Sequence, residues 1–198
     1  MKKAINFKKI NYFYFIIGLV LLTIIFFQLN NNFQSNKASI GGSFKLVNQD
    51  NITFSNSDFK SKYLLIFFGF TNCYMVCPTG LDNMTKALDQ LDEKELDKLT
   101  PVFITVDPKR DSPEVIKDYL SSFHNKFVGL TGSKLKLDEV KNNYGVFSQE
   151  AKSEDPNDYQ VDHSAYIYLV KKNGDYVAHS FYNEPTEKIV NFLKTNLN

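Results

Sequence analysis

Two cysteines are the whole thiol complement of this 198-residue chain, and both lie in one decapeptide, GFTNCYMVCP, Gly69 to Pro78. Cys73 and Cys77 have three residues between them, one more than the common C-x-x-C redox pair. On helical or nearly helical backbone, positions i and i+4 share a face with Cα atoms ~6 Å apart. That separation permits a disulfide, and it equally lets two sulfurs grip one soft ion. Soft sulfur ligands select Cu(I), which accepts low coordination. Two cysteines do not complete the usual four-ligand zinc site. A purely structural disulfide explains the pair poorly, because closing so short a loop restrains little of the unfolded chain.

A third ligand would most simply be histidine, and the chain has three. His124 closes a helical pattern in SSFHNKF and reads as a surface or C-cap residue. His179, in VAHSF, reads as a partly buried strand residue. His163 lies in QVDHSAYIYLV, in the turn before an apolar strand, and is the candidate site residue. Asp162 precedes it, either to orient the ring or to form the turn. Met75 reads as a loop residue packing on the domain, with a weak thioether contact to a metal as the alternative. Asp107, Lys109 and Arg110, in VDPKRD, read as a structured turn with solvated charges. The other reading puts Asp107 near the site and makes the two cations a patch for docking a partner.

The elements that must position these groups are legible in outline. YLLIFFGF, Tyr63 to Phe70, is a continuous apolar run, as expected of a strand buried on both faces. Cys73 follows it directly, at the mouth of a helix whose apolar residues Leu81, Met84, Leu88 and Leu91 recur at helical spacing. Sites in open α/β sheets form beyond the C-terminal ends of strands, and a helix N-terminus favours a thiolate. FKLV and ITF predict a hairpin. VFITV and FVGLTG predict strands. Pro113 to Phe123, Leu135 to Gly145 and the C-terminal EPTEKIVNFLKTNL predict helices, and AYIYLV with DYVAHSF predicts a hairpin through Asn173-Gly174. Ser148 to Gln160 is polar and predicts a loop. The alternation predicts a thioredoxin-like α/β sandwich with an N-terminal β-hairpin.

The ends of the chain differ in character. Hydrophobic residues make up 43% and the net charge is +1, so nothing argues for nucleic acid. Yet Lys2, Lys3, Lys8 and Lys9 stand with no acid among the first 29 residues, leaving −3 for the remainder. Tyr12 to Leu29 follows uncharged, close to the ~20 residues that cross a bilayer. The Asn-rich sequence after it makes a poor cleavage site, so the run reads as an uncleaved transmembrane anchor and not a signal peptide. Basic residues stay cytoplasmic. The expected organisation is a cytoplasmic basic segment (1–11), a single-pass inner-membrane anchor (12–29), a flexible tether (30–40) and a folded domain (41–198). That domain would face the periplasm, or the intermembrane space in a mitochondrion.

Three stretches together, GFTNCYMVCP, TVDPKRDSPEVIKDYL and VDHSAYIYLV, resemble the Sco (SenC) family of copper-delivery proteins. The likeness runs from about Gly41 to the C-terminus. It implies a thioredoxin-like domain tethered to a membrane and a copper site made by Cys73, Cys77 and His163. It also implies delivery of copper to the copper-bearing subunit of cytochrome c oxidase, with other copper carriers as further partners. The family usually has Pro-Asp between the cysteines, where this chain has Tyr74 and Met75. That change frees the loop and removes a negative charge, which bears on metal affinity and redox poise. The other functional expectation is enzymatic: a thiol–disulfide oxidoreductase using Cys73 and Cys77 to reduce the cysteines of the copper-receiving partner.

Overall fold

A computed structural model of the chain describes residues 7–34, 40–154 and 158–197, which fall into two units parted at Ala38 and Ser39. The first holds helix α1 (Phe7–Gln34). Helix therefore occupies residues 30–34, where the sequence reading places the start of a tether; the five residues after it lie outside the described residues. Side chains of α1 are described from Phe15 to Gln28, and most of them are exposed and apolar, among them Phe15, Leu19, Leu22 and Phe26. Among the described residues no helix is long and apolar enough to cross a membrane. The expected span, Tyr12 to Leu29, reaches past those described side chains at both ends.

The second unit is built on a seven-stranded sheet. Its strands are β1 (Lys45–Asn48), β2 (Thr53–Ser55), β3 (Tyr63–Gly69), β4 (Leu99–Thr105), β5 (Val128–Thr131) and two more near the C-terminus. A separate two-stranded ribbon pairs β6 (Ser148–Glu150) with β7 (Val161–His163). The last two strands of the main sheet are β8 (Tyr166–Lys171) and β9 (Tyr176–Phe181), giving the order β2-β1-β5-β4-β3-β8-β9. β3 is parallel to β4 and antiparallel to β8. All seven of its residues are buried, as an unbroken apolar run requires. Each fully buried Phe or Leu there contributes about 1.5–3 kcal/mol.

Helices cover both faces. α2 (Val76–Leu88) and α4 (Pro113–Leu120) lie over the face carrying Phe67 and Phe103. The ring of Tyr119 in α4 is 5.8 Å from Phe103, and a side chain at Gly80 of α2 would strike Phe67. α5 (Lys134–Tyr144) covers the opposite face, where Tyr144 meets Phe68 at 5.4 Å. It ends, as the sequence predicts, on Gly145 in the left-handed region at φ 64°. α6 (Thr186–Asn196) closes the chain. The long helix expected after Pro78 stops sooner. It ends at Leu88, and α3 (Glu93–Asp97) restarts from Asp92, which caps it in a reciprocal box with Glu95.

Candidate metal centre

The cysteine loop is pinned before it reaches its first thiol. Thr71 donates to the buried Asp111 carboxylate through its N–H at 3.2 Å and its hydroxyl at 2.6 Å. Thr105 donates to the same carboxylate from β4. One residue on, the Asn72 carbonyl accepts from Gln160 Nε2 at 3.3 Å. α2 then starts with Met75 as N-cap and no side-chain cap of its own. The sulfur of Cys73 serves instead: the Cys77 N–H, one of the free donors of the first turn, points to it at 3.4 Å. Cys77 is buried beneath, against Gly69, where a Cβ would stand 2.8 Å from its sulfur.

His163 arrives on a different piece of chain. The β6–β7 ladder pairs it with Ser148. Its Nδ1 lies 3.0 Å from the Ser164 carbonyl. A carbonyl only accepts, so Nδ1 carries the proton and Nε2 presents a lone pair. Nε2 is 3.4 Å from Cys77 Sγ. Phe67 and Phe70 stand edge-on to the ring, at 6.4 and 5.8 Å between centroids. The strand that carries it is tied down through Tyr159, whose hydroxyl donates to the buried Asp107 at 2.8 Å. The Arg110 guanidinium covers the Tyr159 ring at 3.7 Å and donates from Nε to Asp107 at 2.6 Å.

The two thiols divide their charge unequally. The Cys77 thiol donates to Cys73, and with help from the backbone N–H groups of Cys77 and Met75 this holds the Cys73 pKa down to about 4 against the pull of partial burial. Cys77, which gives that bond and is more deeply buried beside a thiolate, has its pKa pushed far up. The apo pair is thus one half-exposed thiolate resting on one buried thiol.

Sγ of Cys73, Sγ of Cys77 and an imidazole nitrogen of His163 all lie within 4.8 Å of one another. Among the described residues this is the one group of three or more such ligands. It opens into a cleft of about 420 Å³ rimmed by Tyr74, Met75 and Tyr182. Two soft sulfurs and one imidazole fit a soft, low-coordinate ion and leave zinc short of a fourth ligand.

A family model described as SCO1/SenC matches residues 32–198. The chain belongs to the SCO1/SenC family. Among its relatives, a SCO2-like protein of Rickettsia felis is 41% identical over 167 residues, 83% of this chain and 80% of that one. The human protein SCO1 homolog, mitochondrial, is 35% identical over 162 residues, 81% of this chain and 54% of its own length. Of solved Sco structures, Bradyrhizobium japonicum ScoI with copper bound aligns at a TM-score of 0.71 with 37% identity, covering 80% of this chain and 99% of that one. Yeast Sco1 with copper bound aligns at 0.69, also with 37% identity, over 79% and 90%. The thioredoxin-like α/β architecture is the Sco fold.

Against this Sco scaffold several sequence expectations change. The stretch from Ser148 is no plain loop, since its first three residues form the ribbon strand opposite His163. Asp162 is exposed, and the imidazole is oriented by the Ser164 carbonyl instead. Arg110 is no solvated docking cation but is half-buried over Tyr159, while Lys109 is exposed and paired with Glu150 at 2.6 Å. Met75 does not pack on the domain: it is 74% exposed at the mouth of the cleft. His124 lies away from the cysteines, with Nε2 3.8 Å from Asp89. His179 is exposed rather than partly buried, and its Nδ1 meets the Tyr176 hydroxyl at 2.6 Å. Asp111, which lies inside VDPKRD, and Tyr159 position the two halves of the site, and neither is marked by residue type or spacing.

Proposed function

We propose that this protein is a membrane-anchored copper chaperone that binds one copper ion through Cys73, Cys77 and His163. Its acceptor is the copper-bearing subunit of cytochrome c oxidase. The observation that carries the reading is the convergence of those three ligand atoms within 4.8 Å. Copper-bound relatives of the same fold support it, as does the description of a further Sco protein, at 26% identity, as a member of a family of cytochrome c oxidase assembly proteins. Cys73 supplies a thiolate already formed and His163 a free lone pair, so copper displaces one proton, that of Cys77. Release proceeds by ligand exchange: sulfur donors of a docked acceptor replace these three in turn at the cleft mouth.

The anchored reading rests on the uncharged run Tyr12 to Leu29, its basic flank and the exposed apolar side chains of α1. It divides the chain into a basic segment (1–11), an anchor (12–29), a connection (30–40) and the copper domain (41–198). The N-terminus then lies in the cytoplasm and the domain in the periplasm or intermembrane space. The direct test is Cu(I) titration of the reduced full chain in detergent against a chromogenic chelator. We expect one tight equivalent, lost in Cys73→Ser and Cys77→Ser and weakened in His163→Ala. Undiminished binding by His163→Ala removes the imidazole from the site.

A specific feature also favours thiol–disulfide exchange: the thiolate is the half-exposed sulfur and the protonated one lies directly behind it. Cys73 would attack a partner disulfide and expel one partner thiolate. Cys77 would then lose its proton and resolve the mixed disulfide, leaving Cys73–Cys77 oxidised and the partner reduced. Rapid reduction of a model disulfide by the metal-free chain, abolished in Cys73→Ser, supports this second role.

A further inference from the structure

At the end of the sheet away from the cysteines the domain carries a second, larger hollow. β3 runs from Tyr63 toward the cysteine loop and β8 runs antiparallel to it from near His163 to Lys171, so Lys62, Lys171 and Lys172 mark the far end. At ~3.3 Å per residue the central strands place that end ~20 Å from the metal centre. There a cavity of about 930 Å³ is lined by the buried Phe44 and Val140 and by Lys45, Lys62, Lys136, Lys171 and Lys172. Glu139 is the one acid among its lining residues. Among the described residues, Lys45, Lys136, Lys171 and Lys172 enter no ion pair. Asp58, near Lys45 and Lys172, is engaged by the N–H and hydroxyl of Ser55. Asn56 lines the same cavity at 4% exposure. Its Oδ1 is taken by the Phe44 N–H, and its Nδ2 has no hydrogen-bond partner. Cations around an apolar base, with an unmet donor among them, suit a ligand that brings acceptor oxygens on a greasy body.

The chain also enters the domain here. Gly41 bridges to Asp175, and the Gly42 N–H donates to the Gly174 carbonyl at 2.9 Å. A positive φ at Gly174 and a backbone approach that leaves no room for a Cβ hold this junction against the lysine end of β8. On the anchored reading only the connection 30–40 separates this junction from the anchor.

We propose that the lysine-rimmed cavity docks on the phosphate headgroups of an anionic bilayer, the one that holds the chain's own N-terminal helix. The proposal rests on the anchored reading above. Beyond its first 29 residues the chain carries net charge −3, so an anionic surface repels the domain unless this end faces it. Docked in that way, the domain holds Cys73, Cys77 and His163 at its outer end, clear of the lipid.

The full chain is reconstituted into nanodiscs of phosphatidylcholine alone or with phosphatidylglycerol, and lysine acetylation by a succinimidyl ester is followed by peptide mass spectrometry. We expect Lys45, Lys136, Lys171 and Lys172 to react severalfold more slowly in the anionic discs, with Lys86 and Lys188 unchanged. High salt should abolish the protection. In a chain combining Lys136→Glu, Lys171→Glu and Lys172→Glu, Lys45 should react in anionic discs at its neutral-disc rate. Equal rates in the two discs for an inserted chain overturn docking and leave the anchor standing. Equal protection by soluble glycerophosphate in neutral discs replaces the membrane with a solute and overturns it too. A chain that stays outside both discs overturns the anchor, and docking with it.

Discussion

The Tyr74 hydroxyl donates to Asp158 Oδ1 at 3.0 Å, joining the loop that carries the cysteines to the segment that leads to His163. Tyr74 is 70% exposed, so the bond closes across the mouth of the cleft without adding to the core. Tyr74→Phe is expected to leave the melting temperature unchanged and to speed copper loss to a competing chelator. A clear fall in melting temperature would mean that the phenol supports packing rather than the opening of the site.

The unequal thiols give a pH signature. Cys73 is expected to alkylate at a nearly constant rate from neutral pH downward, slowing only as pH approaches about 4, while Cys77 stays unmodified. Peptide mapping after iodoacetamide treatment of the reduced apo chain reads both. Stability follows the same protons. Up to the ordinary thiol pKa, the unfolded chain holds both thiol protons and the folded chain only one, so stability rises with pH from about 4. Above that value the folded chain still keeps the Cys77 proton, and the trend reverses. Urea midpoints of the wild type across pH should trace this rise and fall, and the rise should be missing in Cys73→Ser; the same rise in both chains would contradict the assignment.

Asp111 receives three hydrogen bonds, two from Thr71 and one from Thr105. Burial raises its pKa and those bonds oppose the rise. In Asp111→Asn the amide turns at least one donor toward another donor, a cost of about 1–3 kcal/mol for a buried group left unpaired. Chemical denaturation should show that loss. Copper affinity should fall with it, because the freed Thr71 no longer holds the turn leading to Cys73.

These cases divide what could be read from the chain from what could not. The unbroken apolar run Tyr63 to Phe70, the two thiols beyond it and the Asn173-Gly174 hairpin are local patterns with local causes, and they predict their own positions. β6 has no such pattern. Ser148, Gln149 and Glu150 are polar throughout, and they become a strand because β7 offers them backbone partners. Asp111 and Arg110 look solvated by type, since charged side chains are exposed unless paired. Their burial follows from partners at Thr71 and Tyr159, far along the chain. The end of α2 is masked by pattern: apolar spacing continues to Leu91, although Asp92 and Glu95 spell a new N-terminus.

Gly69 is a steric demand of the site itself. A methyl there would sit 2.8 Å from Cys77 Sγ and 2.9 Å from the Phe103 ring, both buried. Gly69→Ala is expected to cost about 1–3 kcal/mol through overpacking, and to loosen copper more than Gly80→Ala, whose contacts lie with Phe67 and Tyr182. Equal copper affinities in the two variants would count against it.

Cys77 and His163 stand 86 residues apart in the chain, one on the opening turn of α2 and the other on a three-pair ribbon outside the main sheet. On the chaperone reading proposed above, an ion held by both would act as a rivet between them, so cargo and stiffness would be linked: a loaded carrier would be a tighter object than an empty one. An acceptor touching the ribbon would then tell full from empty by how readily it yields, before any sulfur changes hands.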